Sequence, residues 1–196
     1  GTHQSKRMEW AEGLNVKTYP EVSKAEVLLF TCCSTTYDLR NREIARTMAS
    51  LLDRLGISYA TLGTEEWCCG DHMLRMGEKG LFEELAQHNI SMFKQFEAKK
   101  IVTLSPHCYN TFKNDKPYSD AGLNVQHYTQ FLSEAIEEGS FKLSKPLRKR
   151  IAYPDPCFLG KQNNIYDEPR KIIESLPGVK LLEFDRNRAR SVCCEG

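Results

Sequence analysis

The chain has 196 residues, 40% of them hydrophobic and 27% charged, with a formal net charge of +1. Those values describe a globular protein large enough to bury a substantial core, as one domain or as two closely packed halves. They exclude a disordered or fibrous chain, give no bulk reason to expect nucleic acid or an anionic membrane surface, and leave no apolar run long enough to span a bilayer.

Residues 1–7 are polar and lack an apolar signal core, so they are set aside as an extension or tag remnant, and 1–24 stands outside the repeated part of the chain. Residues 25–30 (AEVLLF) read as a buried strand running into Cys32-Cys33. A helix over 39–55 follows, with Ile44, Ala45, Met48, Leu51, Leu52 and Leu55 at helical spacing and Gly56 as its stop. A strand over 57–62 leads to Trp67-Cys68-Cys69-Gly70, a helix over 79–96 to a strand at 101–104, and that strand to Ser105-Pro106-His107-Cys108. A strand over 123–128 and a helix over 130–137 complete the first part. After the basic stretch 142–150, read as solvated surface, come a strand at 150–153 ending in Asp155-Pro156-Cys157, a helix at 168–175, and a strand at 179–184 leading toward Cys193-Cys194. This alternation predicts an α/β fold of two pseudo-repeated βα units with mainly parallel sheets. Every cysteine cluster then falls at the carboxyl end of a strand, where such sheets bind ligands.

The cysteines repeat. Cys33 is followed by 34 residues and the pair Cys68-Cys69; Cys157 is followed by 35 residues and the pair Cys193-Cys194; the two sets are offset by 124 or 125 positions. Two copies of one thiol-bearing unit are expected, over 25–140 and 141–196. The same offset carries Ser105 and Cys108 past the end of the chain, so the second unit is expected to be truncated. Eight cysteines could form four disulfides in a secreted protein, but adjacent pairs at strand ends favour a reducing compartment and metal. Thiolates that converge repel one another and are costly to desolvate, so a cation or cluster is expected to neutralise them; ligand type alone leaves zinc and iron open. Buried cysteines acting as small hydrophobes are the bland alternative.

With a cysteine, Cys-Cys-Gly at 68–70 and Ser105-x-x-Cys108 in place, the chain resembles the cysteine-rich CCG-domain family, which includes heterodisulfide reductase catalytic subunits and the iron-sulfur subunits of glycolate, lactate and membrane-linked oxidoreductases. The resemblance runs from about residue 26 onward and is supported by residues 62–70, 105–110 and 155–160. It implies a four-iron cluster per unit, non-cubane in type, or zinc in some members. Carried over, the first site uses Cys33, Cys68, Cys69 and Cys108 and the second uses Cys157, Cys193 and Cys194. Three departures stand out: Ser105 replaces a common cysteine, Cys32 replaces a common glycine, and Glu195 follows the last pair where glycine is usual. Cys32, Ser105 and His107 are therefore candidates for an additional ligand or for a group beside the ligands, and the clusters are expected to be incomplete or absent in this fragment.

Among the remaining residues, His107 could bond a cluster sulfur or relay a proton, His72 has a weaker claim, and His88 and His127 read as structural. Arg186, Arg188 and Arg190 could offset an anionic cluster or form an exposed loop; Tyr37, Tyr109 and Tyr166 could wall the pockets or pack in the core; Asp155 could orient the Cys157 loop. No phosphate-binding glycine loop, Ser-His-Asp set or paired-carboxylate site is present. The leading expectation is an iron-sulfur electron-transfer subunit, cytoplasmic or held at the inner membrane face by a partner. It would pass electrons from a flavoprotein or ferredoxin-like donor to a disulfide acceptor or to a quinone, through a membrane quinone-reactive subunit. A disulfide reductase catalytic domain and a zinc-bound or metal-free assembly domain are the alternatives.

Overall fold

The structure, a computed structural model, describes residues 4–193 and divides the chain into two compact units, 1–126 and 127–196. In the first, the apolar run after Lys24 becomes β1 (Lys24–Phe30), an interior strand of a four-stranded sheet. Its neighbours are β2 (Tyr59–Ala60) and β3 (Glu97–Thr103), both parallel to it, and β4 (Val125–His127) lies beyond β3. An α/β fold with a mainly parallel sheet is thus what the sequence forms. Covered on both faces, β1 has little use for polar side chains: Leu28, Leu29 and Phe30 are fully buried.

Short helices begin at the strand ends and longer ones cross back. The former are α1 (Cys32–Tyr37) and α3 (Asp71–Arg75), and the latter are α2 (Arg42–Arg54), α4 (Lys79–Gln95) and α5 (Pro106–Asn114). The buried stripe of α2 is Ala45, Met48, Ala49 and Leu52, and the helix stops where Gly56 takes a positive φ of 66°. Phe30 from β1, Phe93 from α4 and Phe112 from α5 meet edge to face, with ring centroids 4.8–5.9 Å apart. Each such ring contributes about 2–3 kcal/mol by burial, and the trio fixes how the helices sit against the sheet.

The second unit holds α6 (Tyr128–Glu137), a two-stranded parallel sheet of β5 (Arg150–Ala152) and β6 (Lys180–Leu182), and the helices α7 (Gly160–Asn163) and α8 (Asp167–Glu174). His127 caps α6: its backbone N–H donates to Gln130 Oε1 at 3.1 Å and its ring accepts the Thr129 N–H at 3.4 Å.

Element boundaries depart from the sequence reading in two informative places. β3 starts at Glu97, four residues before the predicted strand, because the polar stretch 97–100 pairs with 24–27 at the solvated end of the sheet, where polarity costs nothing. β2 shrinks to two residues because Thr61 instead bridges Thr18, with Tyr19 N–H donating to Thr61 O and Thr61 N–H to Lys17 O. The segment set aside as an extension thus covers a sheet edge. It also buries Trp10 and Arg7, 1% and 2% exposed.

Candidate metal centre

Three loops bring five thiols of the first unit together. Cys32 and Cys33 open α1 directly after β1, Cys68 and Cys69 precede Gly70 and α3, and Cys108 sits in the first turn of α5. Side-chain hydrogen-bond contacts link Cys33 with Cys68, Cys68 with Cys69, Cys69 with Cys108 and Cys108 with Cys32. The sulfurs therefore form one continuous row, 33-68-69-108-32, with no disulfide among them. Cys32, Cys69 and Cys108 are buried, while Cys33 and Cys68 are partly open to solvent. A cavity of about 410 Å³ opens on that accessible end, with Arg7, Cys33, Tyr37, Trp67 and Cys68 among its walls.

Within this row Cys69 is the thiol drawn toward thiolate. The bonds from Cys108 and Cys68, helped by the Asp71 N–H, overcome burial and hold its thiol down to about 6. Contact with Cys68 and burial push Cys33 up, and Cys108 is pushed up by its contacts with Cys32 and Cys69 together with burial. At Cys68 the bond from Cys33 acts downward, but the bond to Cys69 and burial outweigh it.

Local sequence explains the loops. Gly70 has φ 85°, and a Cβ there would lie 2.7 Å from Phe82 Cδ2, so glycine is required by conformation and by space. Its N–H donates to the Cys68 sulfur at 3.4 Å. Asn89, fully buried on α4, holds the same loop: its side-chain oxygen accepts the Trp67 N–H at 3.1 Å, and its NH₂ donates to Cys68 O at 3.0 Å and to Tyr118 Oη at 3.1 Å. The His88 ring stacks on Trp67, centroids 3.7 Å apart, and its Nε2 lies 2.8 Å from Glu65 O. Pro106 opens α5 at its first position, where no amide is needed.

Cys32 has φ 66°, in the left-handed region that favours glycine, which accounts for the resemblance's expectation of glycine there. Its sulfur lies 3.1 Å from Thr103 Oγ1 and donates to Phe30 O at 3.4 Å. Ser105 is the cap position of α5, without a side-chain cap bond, and its N–H reaches Thr103 Oγ1 at 3.5 Å. The His107 Nδ1 lies 2.9 Å from Asp71 Oδ2, and its ring is 5.6 Å from that of His72. Asp71 also accepts from Arg75 and Thr111, and these partners outweigh burial to keep it below the ordinary carboxylate range.

Two residues that the sequence reading passed over complete the site. Glu66, 1% exposed, accepts the Thr31 N–H at 3.0 Å and the Cys32 N–H at 2.9 Å, and pairs with Arg7. Arg7 in turn directs its other terminal nitrogen at the Cys33 sulfur, 3.8 Å away. The backbone amides of Thr31 and Cys32, at the start of α1, are both taken up by Glu66.

In the second unit the Cys157 loop and the Cys193 loop are tied side by side. Ser191 Oγ donates to Asp155 O at 3.3 Å, Lys161 Nζ donates to Ser191 O at 2.6 Å, and Arg188 N–H donates to Asp155 Oδ2 at 2.6 Å. Cys157 is half-buried and Cys193 exposed, while Cys194 and Glu195 lie outside the described residues. Arg170, buried, holds both carboxylate oxygens of Asp155 at 2.6 and 2.9 Å and both of Glu183 at the same two distances. Of the three arginines before the last pair, Arg188 pairs with Asp167, and Arg186 and Arg190 donate to carbonyls of their own loop.

Comparison with known proteins follows the same outline. The model of the CCG cysteine-rich domain matches residues 27–113 and 151–195, more than half of the chain. The chain is 38% identical over 201 residues to a probable iron-sulfur-binding oxidoreductase, FadF, of Bacillus subtilis, covering 99% of this chain and 28% of that protein. It is 36% identical to an EtfAB:quinone oxidoreductase of Syntrophomonas wolfei, with 91% and 25% covered. It is likewise 36% identical to a subunit of the dihydromethanophenazine:CoB--CoM heterodisulfide reductase of Methanosarcina barkeri, with 87% and 43% covered. The chain thus spans from a quarter to less than half of these relatives. No solved structure gives a significant match. On the family match and these identities, the chain belongs to the CCG cysteine-rich domain family.

Proposed function

We propose that the first unit holds an iron-sulfur centre on Cys33, Cys68, Cys69 and Cys108, with Cys32 supplying the fifth sulfur that Ser105 does not. On this reading the chain is the cysteine-rich part of an oxidoreductase that passes electrons from a flavoprotein or ferredoxin-like donor to a quinone or disulfide acceptor. The observation that carries it is the continuous row of five thiols at the carboxyl edge of the sheet. The donor set suits the group: five soft sulfurs, one already drawn toward thiolate, and no competing carboxylate in the row. When bound, the cluster would supply one-electron chemistry at low potential. The chain's own residues hold the sulfurs at fixed spacing, through Gly70 and Asn89, and leave Cys33 and Cys68 at the open end facing the cavity.

Iron is favoured over zinc by the relatives, whose names include iron-sulfur oxidoreductases, while thiolates alone accept either metal. The same cavity favours a second reading, disulfide cleavage beside Cys33 and Cys68. Cys157, Cys193 and Cys194 would form the second site, their loops tied by the Ser191 to Asp155 bond. Among the described residues no helix is long and apolar enough to cross a membrane. The test is anaerobic purification followed by iron, zinc and acid-labile sulfide analysis. A brown protein whose broad visible absorbance bleaches with dithionite is expected; a colourless, zinc-containing protein would leave the assembly-domain alternative standing. Turnover of a disulfide substrate by the reconstituted full-length protein would select the second reading.

A further inference from the structure

We infer that Arg7 and Glu66 form a built-in polar pair that presents a fixed positive charge to the Cys33 sulfur, making Arg7 a positioning residue that sets the reduction potential of the thiolate site. The inference rests on the cluster reading above.

A buried arginine and carboxylate gain little net stability from each other, because desolvation offsets most of their attraction, and apolar residues of similar size are often as good. Here the two charges are not left facing only one another. The Glu66 carboxylate also accepts from the N–H groups of Thr31 and Cys32 and from the Thr31 hydroxyl at 3.2 and 3.3 Å, the Cys32 N–H reaching the same oxygen that Arg7 pairs with. Those bonds take up part of its negative charge. Among the described residues Arg7 pairs with no second carboxylate. Its other terminal nitrogen faces Cys33 at 3.8 Å, its Nε is buried without a hydrogen-bond partner, and the Tyr37 ring lies 5.8 Å from its guanidinium carbon. Burial acts to lower the guanidinium's proton affinity, and Glu66 and Cys33 together outweigh it, so the charge is permanent. Negative charge added to a sulfur centre at this edge is stabilised by a nearby cation and by hydrogen bonds to sulfur, which raises the potential. Glu66 acts in the opposite sense, and its removal leaves Arg7 uncompensated.

Opposite signs follow for the two substitutions, which a merely structural role would not produce. In the anaerobically reconstituted chain, Arg7→Gln is expected to lower the midpoint potential by at least the equivalent of tenfold in the reduction equilibrium, about 59 mV for one electron. Glu66→Gln is expected to raise it, and Arg7→Lys to return it toward the wild-type value. Equal potentials in all four proteins, or shifts of the same sign in both Gln variants, would overturn the inference. If Arg7→Gln does not fold, the Glu66→Gln and Arg7→Lys potentials decide. If the wild type takes up no iron and sulfide, the cluster reading falls, and the metal-free protein decides the charge question. Cys33 should then prefer an anionic aromatic disulfide over a neutral one, by a rate ratio roughly fivefold higher than in Arg7→Gln, as expected for a charge lining an open cleft. A rate ratio unchanged in Arg7→Gln would overturn the inference there.

Discussion

Glu66 accepts a hydrogen bond from the backbone N–H of Thr31, tying the Cys-Cys-Gly loop to the loop that carries Cys33. The cysteine offset maps Thr31 onto Asp155 and Glu66 onto Ser191, and those two residues are also bonded, Ser191 Oγ to Asp155 O at 3.3 Å. The cross-loop tie recurs in both units while the charged member changes sides. In the first unit the acid lies on the second loop and binds Arg7; in the second it lies on the first loop and binds Arg170. What repeats is the need to hold two cysteine loops together, and different polar residues meet it.

Cys32 separates the role of a sulfur from the role of a backbone angle. Cys32→Gly relieves a left-handed residue and is expected to leave stability unchanged or raise it by about 1 kcal/mol, while iron retained after gel filtration falls by at least half. Iron retained in full by the glycine variant would remove Cys32 from the ligand set.

Gly70→Ala places a methyl group 2.7 Å from Phe82 at a positive φ. The strain and the clash together predict a loss of about 3 kcal/mol, read by urea unfolding. Adding Phe82→Leu should recover part of that loss, because the ring is the atom group in the way. No recovery would mean that the backbone angle alone is responsible.

Burial holds the ring of His127 down to about 3, against 6.5 when exposed. Between those values the unfolded chain binds a proton that the folded chain does not, so stability falls as the pH drops below 6.5. The loss is about 1.4 kcal/mol per pH unit, or about 2 kcal/mol at pH 5. His127→Asn, which keeps a capping side chain, should lose correspondingly less between pH 7 and pH 5; equal losses in both proteins would contradict this.

Asp155→Asn leaves Arg170 buried with one carboxylate fewer. A cost of about 3 kcal/mol is expected, concentrated in the second unit and visible as faster amide hydrogen exchange in β5 and β6. Exchange that speeds equally in β1 would show that the pair does not act locally.

The strands, helices and cysteine positions were legible because their signals are periodic: a run of apolar residues in β1, the Ala45, Met48, Ala49 and Leu52 stripe in α2, and thiols spaced alike in both halves. Arg7 and Glu66 were not, since a polar residue near a terminus and one in a loop carry no sign of burial until the chain folds around them. Asn89 did leave a signal, standing in the buried stripe of Phe82, Ala86 and Phe93, where an apolar residue would be usual. The left-handed Cys32 had only the glycine expected at its position to announce it.

Iron K-edge X-ray absorption of the anaerobically reconstituted chain, compared with Cys69→Ser, tests the central claim most directly, because Cys69 sits at the middle of the thiol row. Sulfur-only iron coordination in the wild type, and loss of bound iron in the variant, is the predicted result. Iron bound mainly through nitrogen or oxygen, or a spectrum and iron content unchanged by Cys69→Ser, would contradict the assignment of the metal centre to these five cysteines.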